Sequence, residues 1–182
     1  MTDGRANGRP LVLFVAGTDI HPFTRFVAWA DRLAVELSGQ ADVIVQHGHT
    51  APPTVATGHE FLVHDELVRL LGVASVAVTH GGPGTIMGAR DAGLRPIVVP
   101  RDPARGEHVD DHQQRFAALL AREGRVDLAR DADDLDRLVT LALATGGRAG
   151  APLAAEPAAG VAAAGRVLDE LLAQRRSRRS RR

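Results

Sequence analysis

The sequence predicts an α/β fold: a parallel β-sheet covered by helices on both faces. Two observations predict it. Short unbroken apolar runs recur along the chain, and between them apolar residues repeat at helical spacing. A parallel strand buried on both faces has no polar side, so it reads as a continuous apolar run bounded by turn residues.

The first such run is 11–16, ended by Gly17-Thr18. Phe23, Phe26, Val27, Ala30, Leu33, Ala34 and Leu37 then form one apolar helical stripe. Residues 41–46 read as a second strand, and 48–58 as a loop rich in Pro and Thr. Phe61-Leu62-Val63 suggests a brief strand, followed by a helix carrying Leu67, Val68, Leu70 and Leu71 and closed by Gly72. Residues 75–79 are strand-like and run into His80-Gly81-Gly82-Pro83-Gly84-Thr85. A helix over 85–92, stopped by Gly93, and a strand at Ile97-Val98-Val99 follow. A loop rich in charge and His leads to a helix with Phe116, Leu119 and Leu120. Residues 126–129 read as an edge strand, and Asp131 as the cap of a helix with Leu135, Leu138, Val139 and Ala142 inward. The organisation expected is one domain over 1–145, a Gly/Ala/Pro-rich linker over 146–160, an amphipathic helix over 161–174 and a basic tail over 175–182.

The 182 residues suffice to bury a core without staples, and with no cysteine there is no disulfide or thiolate metal site. Formal charge is zero, with 22 basic and 22 acidic residues. Six arginines crowd the last eight positions, which leaves 16 basic against 22 acidic residues in the body. An acidic body with only five Phe and one Trp argues against a stacking surface for nucleic acid. No apolar run approaches the ~20 residues that cross a bilayer, and residues 1–10 lack the apolar stretch of a secretory signal. A cytosolic protein is the expectation.

In an open α/β sheet, ligands bind beyond the carboxyl ends of the strands, where loops feed helix N-termini. The segment after Thr79 lies at such an end. Gly81, Gly82 and Gly84 admit a bulky anion to the backbone, and a helix start offers unpaired N–H groups and a partial positive charge. Thr85 adds a hydroxyl, and His80 a ring N–H. The loop has neither the dinucleotide spacing nor the P-loop lysine. By itself it is equally compatible with a packing turn. A second element, Asp110-Asp111-His112-Gln113-Gln114, offers the mixed donors and acceptors that suit a ligand with many hydroxyls, or else caps a helix.

Together, THGGPGTIMGARDAGLRPIVVP and EHVDDHQQRFA resemble the C-terminal domain of glycosyltransferase family 28, in particular its single-domain members. These are the donor-binding subunits of two-subunit transferases of lipid-linked oligosaccharide and exopolysaccharide synthesis. VLFVAGTDIHPFTRFVAWAD and VIVQHGHTAPP resemble the opening strand, Gly-Thr turn, helix start and second strand of that domain, so the resemblance covers about 11–129. It implies a Rossmann-like half-domain of the two-lobed GT-B type that binds a UDP-sugar. His80, Gly82, Gly84 and Thr85 would hold the diphosphate, with Gly17 and Thr18 beside them. Asp111, His112 and Gln113 would reach the sugar. Uracil would meet backbone groups around 62–64, Val63 among them.

The family commonly carries a glutamate for the ribose three residues after the Thr85 position. Here that residue is Gly88, with Asp91 one turn further on as a substitute. The Gly-Leu-Arg-Pro turn is one residue longer than the usual pattern. The resemblance also implies an inverting displacement with UDP leaving and no metal or cofactor; the acceptor hydroxyl needs a base, for which His21, just after the Gly-Thr turn, or the partner subunit is the candidate, and the pair His47 and His49 could otherwise bind a metal. A membrane-anchored, acceptor-binding partner subunit is implied, which would place the protein at the inner face of the membrane. The arginine tail could touch anionic lipid at ~1 kcal/mol per basic residue, or stay solvated. A noncatalytic UDP-sugar-binding subunit is the alternative reading.

Overall fold

The structure is a computed structural model and describes residues 8–146. The linker, the helix over 161–174 and the basic tail expected from sequence lie outside the described residues. Six parallel strands form one sheet in the order β3-β2-β1-β4-β5-β6. They are β1 (Leu11–Val15), β2 (Asp42–Gln46), β3 (Thr57–His59), β4 (Val76–Thr79), β5 (Ile97–Val98) and β6 (Asp127–Leu128). The strand order reverses between β1 and β4, and this doubly wound order is the Rossmann-like arrangement expected.

Because side chains alternate across a strand, β1 feeds both cores at once. Val12 and Phe14 join Phe26, Ala30, Leu33, Leu135 and Val139 on the face covered by α1 (Thr24–Glu36) and α5 (Ala132–Ala144). Leu11, Leu13 and Val15 join Leu70, Leu71 and Ala89 on the face covered by α2 (His64–Val73) and α3 (Pro83–Asp91). On the first face Phe23 stacks on Phe26 at 4.7 Å between centroids, and Phe14 meets Phe26 edge-on at 5.2 Å. Such aromatic pairs add ~0.5–1.5 kcal/mol beyond the area they bury. The remaining helix, α4 (His112–Arg122), buries Gln113, Phe116 and Ala117.

Three expectations about elements change. The third strand is Thr57–His59, inside the segment read as loop, and Phe61-Leu62-Val63 is not a strand. Only three residues pair with β2 at the sheet edge, too few to show a pattern, whereas Phe61 and Val63 stay 45% and 72% exposed. Gly72 does not close α2; the helix continues to Val73 and ends where Ala74 turns extended. Finally, α3 starts at Pro83 rather than Thr85. Proline suits the first helical position, since an N–H there has no intrahelical partner to lose. The predicted cap of α5 is present: the Asp131 carboxylate accepts from the Asp134 N–H at 2.8 Å.

Candidate functional site

At the carboxyl ends of β1 and β4, two glycine turns and the start of α3 enclose a cavity of about 260 Å³. Its lining includes Gly17, Thr18, His80, Gly82, Gly84 and Thr85. Sequence reasoning named all six. A larger hollow of about 650 Å³ runs past the edge strand β3, near the starts of β1 and β2. The carboxylates of Asp42 and Glu66 line it and it has no glycine turn feeding an uncapped helix start, so chemistry favours the smaller one.

Each wall of the cavity has a local cause. Gly17 sits at φ +79°, a left-handed conformation that glycine adopts without strain. Its turn is locked by the buried Gln46, whose Oε1 accepts from the Gly17 N–H and whose Nε2 donates to the Gly17 carbonyl, both at 2.9 Å. A third bond, from Nε2 to the Glu60 carbonyl at 3.1 Å, ties in the chain after β3. Gly82 is the N-cap of α3, and no side chain caps that helix. With Pro83 lacking an N–H, the backbone donors of Gly84 and Thr85 form the start of the helix that borders the cavity.

His80 is packed between the two turns. A Cβ built on Gly17 would lie 2.6 Å from its ring, and one on Gly82 only 2.3 Å from Nε2. Burial lowers its pKa to about 4, since the ring is held away from water and Arg101 lies near; the carbonyl of Val15 opposes that shift. Nδ1 stands 3.2 Å from the Val15 carbonyl, an acceptor only, so the neutral ring donates there and Nε2 holds a lone pair. The hydrogen bond expected from His80 to a diphosphate is therefore not available from Nε2 of the neutral ring. The ring instead packs against both Gly17 and Gly82.

The other expected residues lie outside the cavity lining. Val63 is 72% exposed, and its carbonyl accepts from Leu67 within α2; Phe61 and Leu62 line the cavity instead. Asp111 pairs with Arg115 at 2.9 Å and faces solvent. Gln113 is buried behind the turn, where a Cβ on Gly81 would lie 3.6 Å from its own, and its Oε1 has no partner among the described residues. Neither Gly88 nor Asp91 lines the cavity. Gly88 turns toward α2, where an added Cβ would meet Leu71 at 3.4 Å, and Asp91 is exposed. The suggested carboxylate substitute is thus not in place. His47 is buried with Nδ1 directed at the carbonyl of Thr50, 2.8 Å away, while the exposed His49 packs edge-on against Phe61. They do not form a metal pair.

His21 and His112 belong to a polar cluster beside the cavity, together with Asp19, His108 and Asp110. The Asp19 carboxylate accepts from the His21 backbone N–H at 2.8 Å and from His21 Nδ1 at 2.6 Å. Since a carboxylate only accepts, Nδ1 carries the proton in this pair. Burial would raise the Asp19 pKa, but those two bonds, with Arg101 and His108 nearby, lower it overall.

Sequence reasoning missed Gln46, Asp19, His108 and Arg101. Arg101 is 1% exposed, and its guanidinium donates to the carbonyls of His21 (2.7 Å), Ala16 (2.9 Å) and Glu107 (3.0 Å). It lies over the Phe23 ring at 4.6 Å, within cation–π range. Glu107 in turn takes a bidentate pair from Arg25 at 2.8 and 2.9 Å. The available signal was one arginine after Pro100, at the end of an apolar run, which by itself reads as a surface residue.

Residues 11–157 match the glycosyltransferase family 28 C-terminal domain. A comparison with curated proteins finds no match. Among solved structures, spinosyn forosaminyltransferase SpnP is similar at 25% identity and a TM-score of 0.55, over 76% of this chain and 36% of that one. The glycotransferase of kitacinnamycin is similar at 21% identity and a TM-score of 0.59, over 78% of this chain and 37% of that one. The calicheamicin glycosyltransferase CalG4 is similar at 16% identity and a TM-score of 0.51, over 90% and 44%. The chain therefore spans less than half the length of each. No helix among the described residues is long and apolar enough to cross a membrane. By its match over most of its length, the chain belongs to the glycosyltransferase family 28 C-terminal domain family.

Proposed function

We propose that the chain is the donor-binding, catalytic subunit of an inverting two-component glycosyltransferase that uses a UDP-sugar. The single observation that carries this reading is the glycine-walled cavity closing on the uncapped start of α3. Backbone N–H groups of Gly84 and Thr85, the Thr85 hydroxyl and the helix dipole all favour an anion there. At about 260 Å³ the cavity is smaller than the ~300–1,000 Å³ of whole small-molecule sites, which suits half of a cleft whose other wall is a second lobe.

In the reaction, the acceptor oxygen bonds to the anomeric carbon as the carbon–oxygen bond to the diphosphate breaks and UDP departs. The helix start stabilises the charge growing on the diphosphate. His21, oriented through Nδ1 by Asp19, takes the acceptor proton at Nε2. The acceptor is lipid-linked or a polysaccharide, and a membrane-anchored partner subunit presents it. The arginines of 175–182 draw the pair to anionic lipid at the inner membrane face.

The lack of a carboxylate at Gly88 favours a second reading, a noncatalytic UDP-sugar-binding subunit. Transfer assayed with and without the partner separates the two. Thermal shift with UDP, UDP-GlcNAc, UDP-glucose and UDP-glucuronate tests the site itself. Thr85→Val removes the hydroxyl at the helix start and should abolish the shift. A shift of wild-type size in that variant would refute the assignment.

A further inference from the structure

The loop between β5 and α4, with the first residue of α4, places two imidazoles and a carboxylate on alternate residues, His108, Asp110 and His112. The expected sugar contact of His112 does not account for His108 and Asp110 beside it. Each of the three offers a ligand atom, and these atoms lie within 4.8 Å of one another. His108 Nδ1 is 3.3 Å from Asp110 Oδ1, and His112 Nδ1 contacts the same oxygen. Zinc–nitrogen and zinc–oxygen bonds of ~2.0–2.2 Å at a tetrahedral angle separate ligand atoms by about 3.3–3.5 Å. The His108–Asp110 pair already has that spacing. His112, more exposed than His108, completes the set by a side-chain rotation.

A second observation points the same way. The Asp19 carboxylate, carried on a different loop, lies 3.4 Å from His108 Nε2. Asp19 thus stands as a charged neighbour behind the ring, while His108 Nδ1 accepts from the Asp110 backbone N–H at 3.2 Å, a bond that a cation would displace. A carboxylate set behind the outer nitrogen of an imidazole whose other nitrogen faces a cluster of ligand atoms is the usual surrounding of a metal-bound histidine. The histidine side chain is 9% exposed, so it is already desolvated and oriented.

We propose that His108 Nδ1, Asp110 and His112 bind a zinc-class divalent cation, with Asp19 as the positioning carboxylate behind His108. Two nitrogens and one oxygen suit zinc rather than magnesium or calcium, which favour oxygen ligands. Three protein ligands leave a coordination position for water or a hydroxyl-bearing ligand, as in zinc sites that are not purely structural. The proposal shares His112 and Asp19 with the proposed donor site, but zinc uptake is measured without nucleotide, so the two readings fail separately.

The test is calorimetric titration of the untagged, EDTA-stripped full chain with zinc chloride, alongside cobalt(II) absorption as a report on geometry. One equivalent of zinc with a tetrahedral cobalt spectrum is expected, and no magnesium heat. Asp110→Asn and His108→Ala should each weaken zinc at least tenfold and remove the cobalt bands. Asp19→Asn should weaken it by about 10–100-fold while the stoichiometry stays at one. Circular dichroism confirms that each variant is folded, and the near-isosteric Asp110→Asn is decisive if His108→Ala is not. No uptake by the wild type, or uptake unchanged by Asp110→Asn, overturns the proposal.

Discussion

Replacing Gly82 by alanine tests the packing of His80 with one methyl group. The backbone at Gly82, φ −70° and ψ 133°, accepts alanine without strain, so an effect of conformation is excluded. The unfolded chain even favours the change by ~0.4–1 kcal/mol through lost freedom. Against this, the new Cβ would lie 2.3 Å from His80 Nε2 and 2.9 Å from Cε1, where ordinary contact begins near 3.4 Å. The ring must retreat by about 1 Å, but Gly17 stands against it on the other side and Nδ1 is tied to the Val15 carbonyl. Overpacking of this kind costs ~1–3 kcal/mol, and loss of the Val15 bond a further ~0.5–1.5. Gly82→Ala should therefore destabilise the chain by about 2–3 kcal/mol in urea unfolding. His80→Ala removes the obstacle, so the double variant should be more stable than the sum of the two single losses by at least about 1 kcal/mol. Additivity within ~0.5 kcal/mol would refute the reasoning, since contacting residues must couple.

Three further outcomes follow from the same geometry. The pKa of His80, about 4 in the fold against an ordinary 6.5, means that the unfolded chain takes up a proton first as pH falls. Stability from this group is complete above about pH 6.5 and is lost as pH falls toward 4, by about 3 kcal/mol in all. His80→Gln should flatten the acid limb of a pH–stability curve by close to one proton, and an unchanged slope would count against the buried neutral ring. Arg101→Met leaves the carbonyls of Ala16, His21 and Glu107 without their donor and should cost about 3–4 kcal/mol in urea unfolding, where a loss under 1 would contradict the network. Gln113→Leu removes an unpartnered buried oxygen and should change stability by less than about 1 kcal/mol, whereas Gln46→Leu breaks three hydrogen bonds and should cost about 2–3.

The cavity was legible in sequence because its parts are local: a strand, a glycine turn and a helix start within ten residues, from Val76 to Thr85. The apolar runs of β1 and β4 and the stripe of α1 were legible for the same reason, since burial on a regular element leaves a period. What escaped notice had no period. Strand β3 is three residues long and contains a glycine, so nothing in it alternates. Gln46 and Arg101 are polar residues whose burial depends on partners far along the chain. His21 and His108 are brought to a ring separation of 6.3 Å only by the fold, so a line of sequence shows two loops where the molecule has one cluster. The expected donor role of His80 meets one point of geometry that sequence does not show: the neighbouring strand β1 supplies the Val15 carbonyl that accepts the ring N–H.

Arg101 gives this region a common anchor. A single planar cation holds the end of β1, the His21 loop and the Glu107 turn through three carbonyls, and no side chain of those segments can release it. The three segments therefore cannot be tuned one at a time. Lengthening or redesigning any of them displaces the other two, so a graft that aims to alter sugar choice must carry the arginine and its three carbonyl contacts as a unit.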